Sequence, residues 1–145
     1  MEHLGLEVRL LGFHPLTFGN IPQYPLWSDG AGKSRWVRLP AGATIDARDV
    51  DRWDFPVGTR FWKEFSFAGR RVETRFLRKD GDASWTFASY VWNDAQTDAE
   101  RAPADGMPNV AEITPGRRHC IAAAEDCRAC HDSARTAILG YTAFQ

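Results

Sequence analysis

No stretch of this 145-residue chain is long or apolar enough to cross a bilayer, so no membrane span is expected. A dominant charge is also missing. Eighteen Lys and Arg against nineteen Asp and Glu leave a net charge of −1, so neither nucleic acid nor an anionic membrane is expected as a partner. There are no internal repeats and no low-complexity tracts. The first dozen residues contain Glu2, His3, Glu7 and Arg9, which excludes the apolar core of a secretory signal there. Methionine and cysteine are scarce, at two and three residues. What remains is an ordinary globular composition, 43% hydrophobic and 26% charged, of a length that supports one core.

Two of the three cysteines fall in the run Cys127-Arg128-Ala129-Cys130-His131. The form Cys-x-x-Cys-His is the attachment signature of a c-type haem. One helical turn presents two thiols to the vinyl groups of one macrocycle and an imidazole to its iron. On this reading Cys127 and Cys130 hold one covalent haem c and His131 is its axial ligand. Two other readings stay open. Cys120, Cys127 and Cys130 with His119 or His131 would make a Cys3His zinc set. A redox dithiol would need a surrounding βαβ unit, and none is visible. If haem takes two thiols, Cys120 is left over and is expected to be a buried free thiol. Six tryptophans and nine phenylalanines would suit the walls of a flat apolar cofactor, or a small core built from large side chains.

Residues 1–34 are rich in Gly and Pro and read as an irregular N-terminal arm, followed by a single antiparallel β domain over 35–145. Arg35 to Leu39 alternates as a strand and turns at Pro40-Ala41-Gly42. Asp46 to Asp54 is polar, with room for one helical turn. Three strands follow: Thr59 to Phe67, Arg70 to Lys79 and Ser84 to Trp92, with turns at Gly69 and Asp80-Gly81. In the first, Phe61, Lys63, Phe65 and Phe67 share one face, opposite Trp62 and Glu64. In the second, Arg71, Glu73 and Arg75 share a face. From Asn93 to Pro115 a long loop or edge excursion is expected. Arg117 to Ser133, with its alanine run Ala122 to Ala124, reads as a C-terminal helix carrying the motif. The fold class is therefore mainly β, an antiparallel meander with a short C-terminal helix.

The segment Phe55-Pro56-Val57-Gly58-Thr59 through Lys63-Glu64-Phe65 resembles the proline-glycine turn and lysine-bearing strand of the sheet class that includes the c-prime-beta cytochromes and their lysine-cross-linked haem relatives. That resemblance implies contact between Lys63 and a haem edge; a lysine snorkelling to solvent is the other reading. A longer resemblance runs from Tyr24 to the end. Tyr24-Pro25-Leu26-Trp27-Ser28-Asp29-Gly30-Ala31, Arg71-Val72-Glu73-Thr74-Arg75, Tyr90-Val91-Trp92-Asn93 and the ending Leu139-Gly140-Tyr141 through Gln145 are similar to a group of secreted bacterial proteins with a C-terminal Cys-x-x-Cys-His. It implies an extracytoplasmic c-type haem protein, periplasmic or secreted, of which this chain is a short or trimmed form.

Function turns on the iron's other face. A strong second ligand favours electron transfer to a redox partner, whereas an open face admits a small molecule. Met107, expected in a loop, is the methionine candidate; His14 and His3 are the histidine candidates. His119 is set aside because it lies on the same proposed helix as His131. Arg71 and Arg75 are candidates for the haem propionates, or for a cross-strand charge ladder. The run Gly30-Ala31-Gly32-Lys33-Ser34 ends like a phosphate-binding loop but lacks the first glycine and opens a strand, so nucleotide binding is not expected.

Overall fold

The structure, a computed structural model, describes residues 17–19 (backbone only), 28–131 and 137–138. Six strands run in chain order across one antiparallel sheet: β1 (Thr17–Gly19), β2 (Gly32–Arg38), β3 (Arg60–Phe67), β4 (Arg70–Lys79), β5 (Trp85–Trp92) and β6 (Ala99–Arg101). A two-stranded ribbon, β7 (Met107–Thr114) and β8 (Arg117–Ile121), and one helix, α1 (Ala124–His131), complete the described chain. The architecture is mainly β with a short C-terminal helix. Among the described residues no helix is long and apolar enough to cross a membrane.

The meander follows from local chemistry. Strands β3 and β4 are rich in aromatic and β-branched residues that favour a pleated surface. They are closed by the two-residue turn Ala68-Gly69, both at positive φ, the geometry that matches strand twist. The Asp80-Gly81 turn is wider, a loop of Asp80 to Ser84 held by Asp80 N–H to Ser84 O at 2.9 Å. Side chains alternate between faces, so paired residues on adjacent strands form rungs on one face.

One face is an apolar cluster of Trp62, Phe76, Tyr90, Trp92 and Ala99, with Trp36 and Ala88 packed against it. The other face carries three rungs of different character: Val37–Phe61–Leu77–Phe87, then Arg35–Lys63–Arg75–Ser89, then Lys33–Phe65–Glu73–Val91. The first is apolar and is covered by the β2–β3 loop, with Phe55 edge-on to Phe61 at 4.9 Å and Ile138 buried beside them. Lys79 anchors that loop, donating from Nζ to Asp54 Oδ1 at 2.6 Å and Phe55 O at 2.7 Å. The stretch expected to hold a helical turn forms instead a bridge between Asp46 and Asp54.

Three further expectations change. The helix is shorter than Arg117 to Ser133 suggested, because Arg117–Ile121 is β8. Pro115-Gly116 is the hairpin turn between β7 and β8, with Gly116 at φ 79°, a value an L side chain resists. The polar stretch from Asn93 to Pro115 contains β6 and β7 rather than one long loop, Met107 being the first residue of β7. In the arm, which was expected to be irregular up to residue 34, β1 and the start of β2 at Gly32 join the sheet, and Lys33 and Ser34 are strand residues.

Candidate functional site

Helix α1 carries Cys127, Cys130 and His131 at positions i, i+3 and i+4, which one helix face presents together. Its start is fixed from two sides. The Ala124 N–H donates to Ala104 O at 2.8 Å, and the Ala123 N–H donates to the Asp126 carboxylate at 3.0 Å, which satisfies donors that a helix N-terminus leaves open. Glu125 and Asp126 in the first turn, and Arg128 and His131 in the last, suit the helix dipole. Gly106 lets the backbones meet here: a Cβ would lie 2.5 Å from Ile121 O. Yet no residue of α1 is buried. An eight-residue helix is far below the length at which isolated helices persist, so burial by its own side chains does not hold it.

The helix lies over β5 and β4. Cys127, Cys130, His131 and Asp126 face Arg75, Phe76, Leu77, Phe87, Ala88 and Ala122 across a cleft of about 90 Å³. A second cleft of about 150 Å³ shares Cys127, Phe87, Ala88 and Ala122 and runs on to Arg101 and Pro103. The His131 ring stands 5.4 Å from that of Phe87, and the Arg128 guanidinium lies 5.4 Å from the same ring.

His131 Nδ1 bonds to Ala137 O. A carbonyl oxygen only accepts, so Nδ1 carries the proton and, in the neutral ring, Nε2 keeps its lone pair. That arrangement orients an imidazole for metal ligation. None of the three cysteines is in a disulfide. Burial pushes the Cys127 thiol up, Arg75 pulls it back only in part, and Glu73, Asp126 and Cys130 add to the rise. A dithiol tuned for redox exchange has a depressed thiol instead.

Beside the helix, Glu73 is wholly buried. It accepts from Arg75 Nε at 2.8 Å and Nη2 at 3.2 Å, and its Oε2 lies 3.0 Å from His119 Nε2. Burial alone would raise the Glu73 carboxyl, but the hydrogen bonds from His119 and Arg75 outweigh it and hold it below the usual range. Phe65 and Phe67 pack their rings 6.3 and 5.3 Å from that of His119.

Of the residues singled out in the sequence, Cys127, Cys130 and His131 share the cleft with Arg75, and Lys63 stands on the same sheet face, directly across from Arg75. Its ammonium is 5.0 Å from the Phe65 ring. Burial, then Arg35, Arg75 and Lys33, lower the Lys63 amine to about 8. Met107, on β7 opposite Ile121, lines neither cleft. Arg71 does not share the face of Glu73 and Arg75. A bulge at Val72, where Phe65 pairs with Glu73 but Ser66 with Arg71, turns it to the apolar face, 3.7 Å over Trp92. Cys120 is exposed on β8, not buried, and accepts weakly from Asn109 N at 3.5 Å. Among the described residues no group of three His, Cys, Asp or Glu side chains is placed to hold a metal, so the Cys3His set is not assembled there. His3, His14, the segment Tyr24 to Trp27 and the ending from Leu139 lie outside the described residues.

Sequence reasoning missed the Glu73–His119 pair. Its signal was present: Arg118-His119-Cys120-Ile121 alternates polar and inward residues directly after a Pro-Gly turn, which is the pattern of a strand. Comparison of the chain with models of known families, with curated proteins and with solved structures found no match.

Proposed function

We propose that the protein is an extracytoplasmic monohaem c-type cytochrome, with haem bound through thioether bonds to Cys127 and Cys130 and His131 Nε2 as axial ligand. The observation that carries this reading is the Nδ1 bond from His131 to Ala137 O, made by the histidine of a Cys-x-x-Cys-His run whose two cysteines form no disulfide. The donor set fits the group: two reduced thiols, one oriented imidazole, and a wall made by Phe87, Ala88 and Leu77. Neither cleft equals a macrocycle in volume, so a bound haem would require α1, none of whose residues is buried, to shift outward. A bound haem would supply one-electron redox chemistry and an iron coordination site. The chain's own residues anchor it, exclude water on the sheet side and fix the imidazole tautomer.

Electron transfer is the first role. A second, an iron with one open face that binds or oxidises a small molecule, is favoured by the two described candidates for a further ligand: His119 Nε2 is engaged by Glu73, and Met107 lies on a paired strand.

Production in a host competent for haem attachment, followed by intact mass, tests the assignment. A mass increment of one haem is expected, weakened retention in Cys127→Ala and Cys130→Ala, and a changed spin state in His131→Ala. A wild-type spectrum in all three variants, or zinc without iron on metal analysis, rejects it. A reduced form that binds carbon monoxide selects the open-faced role, and one indifferent to it selects electron transfer.

A further inference from the structure

The chain has three lysines, Lys33, Lys63 and Lys79, and they are held differently. Lys79 donates to Asp54 Oδ1 and Phe55 O, and Lys33 has a partner of its own. Among the described residues no carboxylate or carbonyl accepts from Lys63 Nζ; what it meets is the Phe65 ring, 5.0 Å away.

The setting of Lys63 favours the uncharged amine. The side chain is half-buried, and burial penalises an ammonium that no acceptor compensates. Cross-strand register places Arg35 opposite it on β2 and Arg75 opposite it on β4. Both arginines have partners of their own, Glu73 accepting from Arg75 Nε at 2.8 Å, so neither depends on Lys63. Burial first, then Arg35, Arg75 and Lys33, lower the amine to about 8, with Glu73 opposing. His119 on β8 and Asp126 on α1 act at one remove, through Glu73 and Arg75. A lysine desolvated beside other cations is a nucleophile near neutral pH, which is how Schiff-base lysines are activated.

We propose that Lys63 is a covalent site for small aldehydes, which its amine takes as an imine. The Nζ lone pair adds to the carbonyl carbon; the oxygen gains a proton as the nitrogen gives one up, and the carbinolamine then loses water to leave C=N. One amine and one aldehyde yield one imine and one water, with no change of oxidation state. An aldehyde suits the position because it brings no charge, and the Phe65 ring offers its carbon chain an apolar side. The site stands without the haem reading, since it uses neither Cys127, Cys130 nor His131.

Treatment of the full chain with propanal and cyanoborohydride, which reduces an imine to a stable propylamine, tests the site by peptide mass mapping. At about pH 7.5 Lys63 is expected to be propylated about tenfold faster than Lys33 and Lys79, the α-amino group being read in a separate peptide. Arg35→Gln removes one neighbouring cation and is expected to slow Lys63 while leaving Lys79 unchanged, an effect that a merely solvated lysine would not show. A Lys63 rate no greater than those of Lys33 and Lys79 overturns the proposal, as does unchanged or faster labelling of Lys63 in Arg35→Gln. If that variant fails to fold, the comparison of the three lysines in the parent chain decides alone. Intact mass from a haem-competent host judges the cytochrome reading separately.

Discussion

The two faces of the sheet are built from the same strands and end in opposite chemistry. Each bears a row of three cations in register, Arg38–Arg60–Arg78 on one and Arg35–Lys63–Arg75 on the other. The first lies at the rim of an apolar core, where Arg78 reaches Asp80 at 2.6 Å. The second lies across the middle of its face, between an apolar rung and a buried carboxylate, beside the helix that carries Cys127 and His131. A rim row costs little because solvent and nearby acids screen it. A central row has less solvent to screen it, and burial followed by Arg35, Arg75 and Lys33 lowers the Lys63 amine to about 8.

The largest expected effect breaks the polar face at its anchor. Glu73→Ala leaves Arg75 and His119 without their carboxylate in a buried setting and should cost about 3–5 kcal/mol in urea unfolding; a loss below about 1 kcal/mol would mean that Glu73 does not hold the network.

A pair of substitutions on the apolar face is expected next. Trp92 Nε1 donates to the buried Thr74 hydroxyl at 2.9 Å, so Trp92→Phe strands that group and should cost about 1–3 kcal/mol. Trp62 is as deeply buried, but its Nε1 has no partner among the described residues. Trp62→Phe removes an unsatisfied donor along with some volume, so its net cost should be about 1 kcal/mol or less. Equal losses in the two variants would refute this difference.

The smallest effect is a slope with pH. The Lys63 amine is lowered from 10.5 to about 8 by burial and then by Arg35, Arg75 and Lys33, with Glu73 opposing. Between those values the unfolded chain binds the proton that the folded chain has released, so this lysine's contribution makes stability rise with pH. Below about 8 its penalty is present in full. Melting temperatures from neutral pH to pH 10 should rise less in Lys63→Gln than in the parent chain; an unchanged slope would place the Lys63 ammonium in a solvated position.

Much of the fold is legible in the sequence because strand periodicity and turn chemistry are local. The alternation of Arg70 to Lys79 marks the limits of β4, and the attachment run points to a helix. Pattern misleads where two signals compete. The alanines at 122–124 outweigh the Pro115-Gly116 turn as a local signal, which hides β8 and puts His119 on a helix it does not occupy. Likewise Arg71 shares a face with Glu73 by alternation alone, because alternation cannot reveal a bulge that depends on the register of the neighbouring strand.

By itself the sequence determined the meander, the short C-terminal helix and the spacing of two thiols and an imidazole along one helix face. Period-2 alternation, turn residues and helical spacing are properties of neighbouring residues. Tertiary structure alone decided that Lys63 stands across from Arg75, that Glu73 and His119 meet from strands in separate sheets, and that Ala137 O fixes the tautomer of His131. Each depends on cross-strand register or on the chain folding back, and a one-residue shift in pairing would have sent those side chains to the other face.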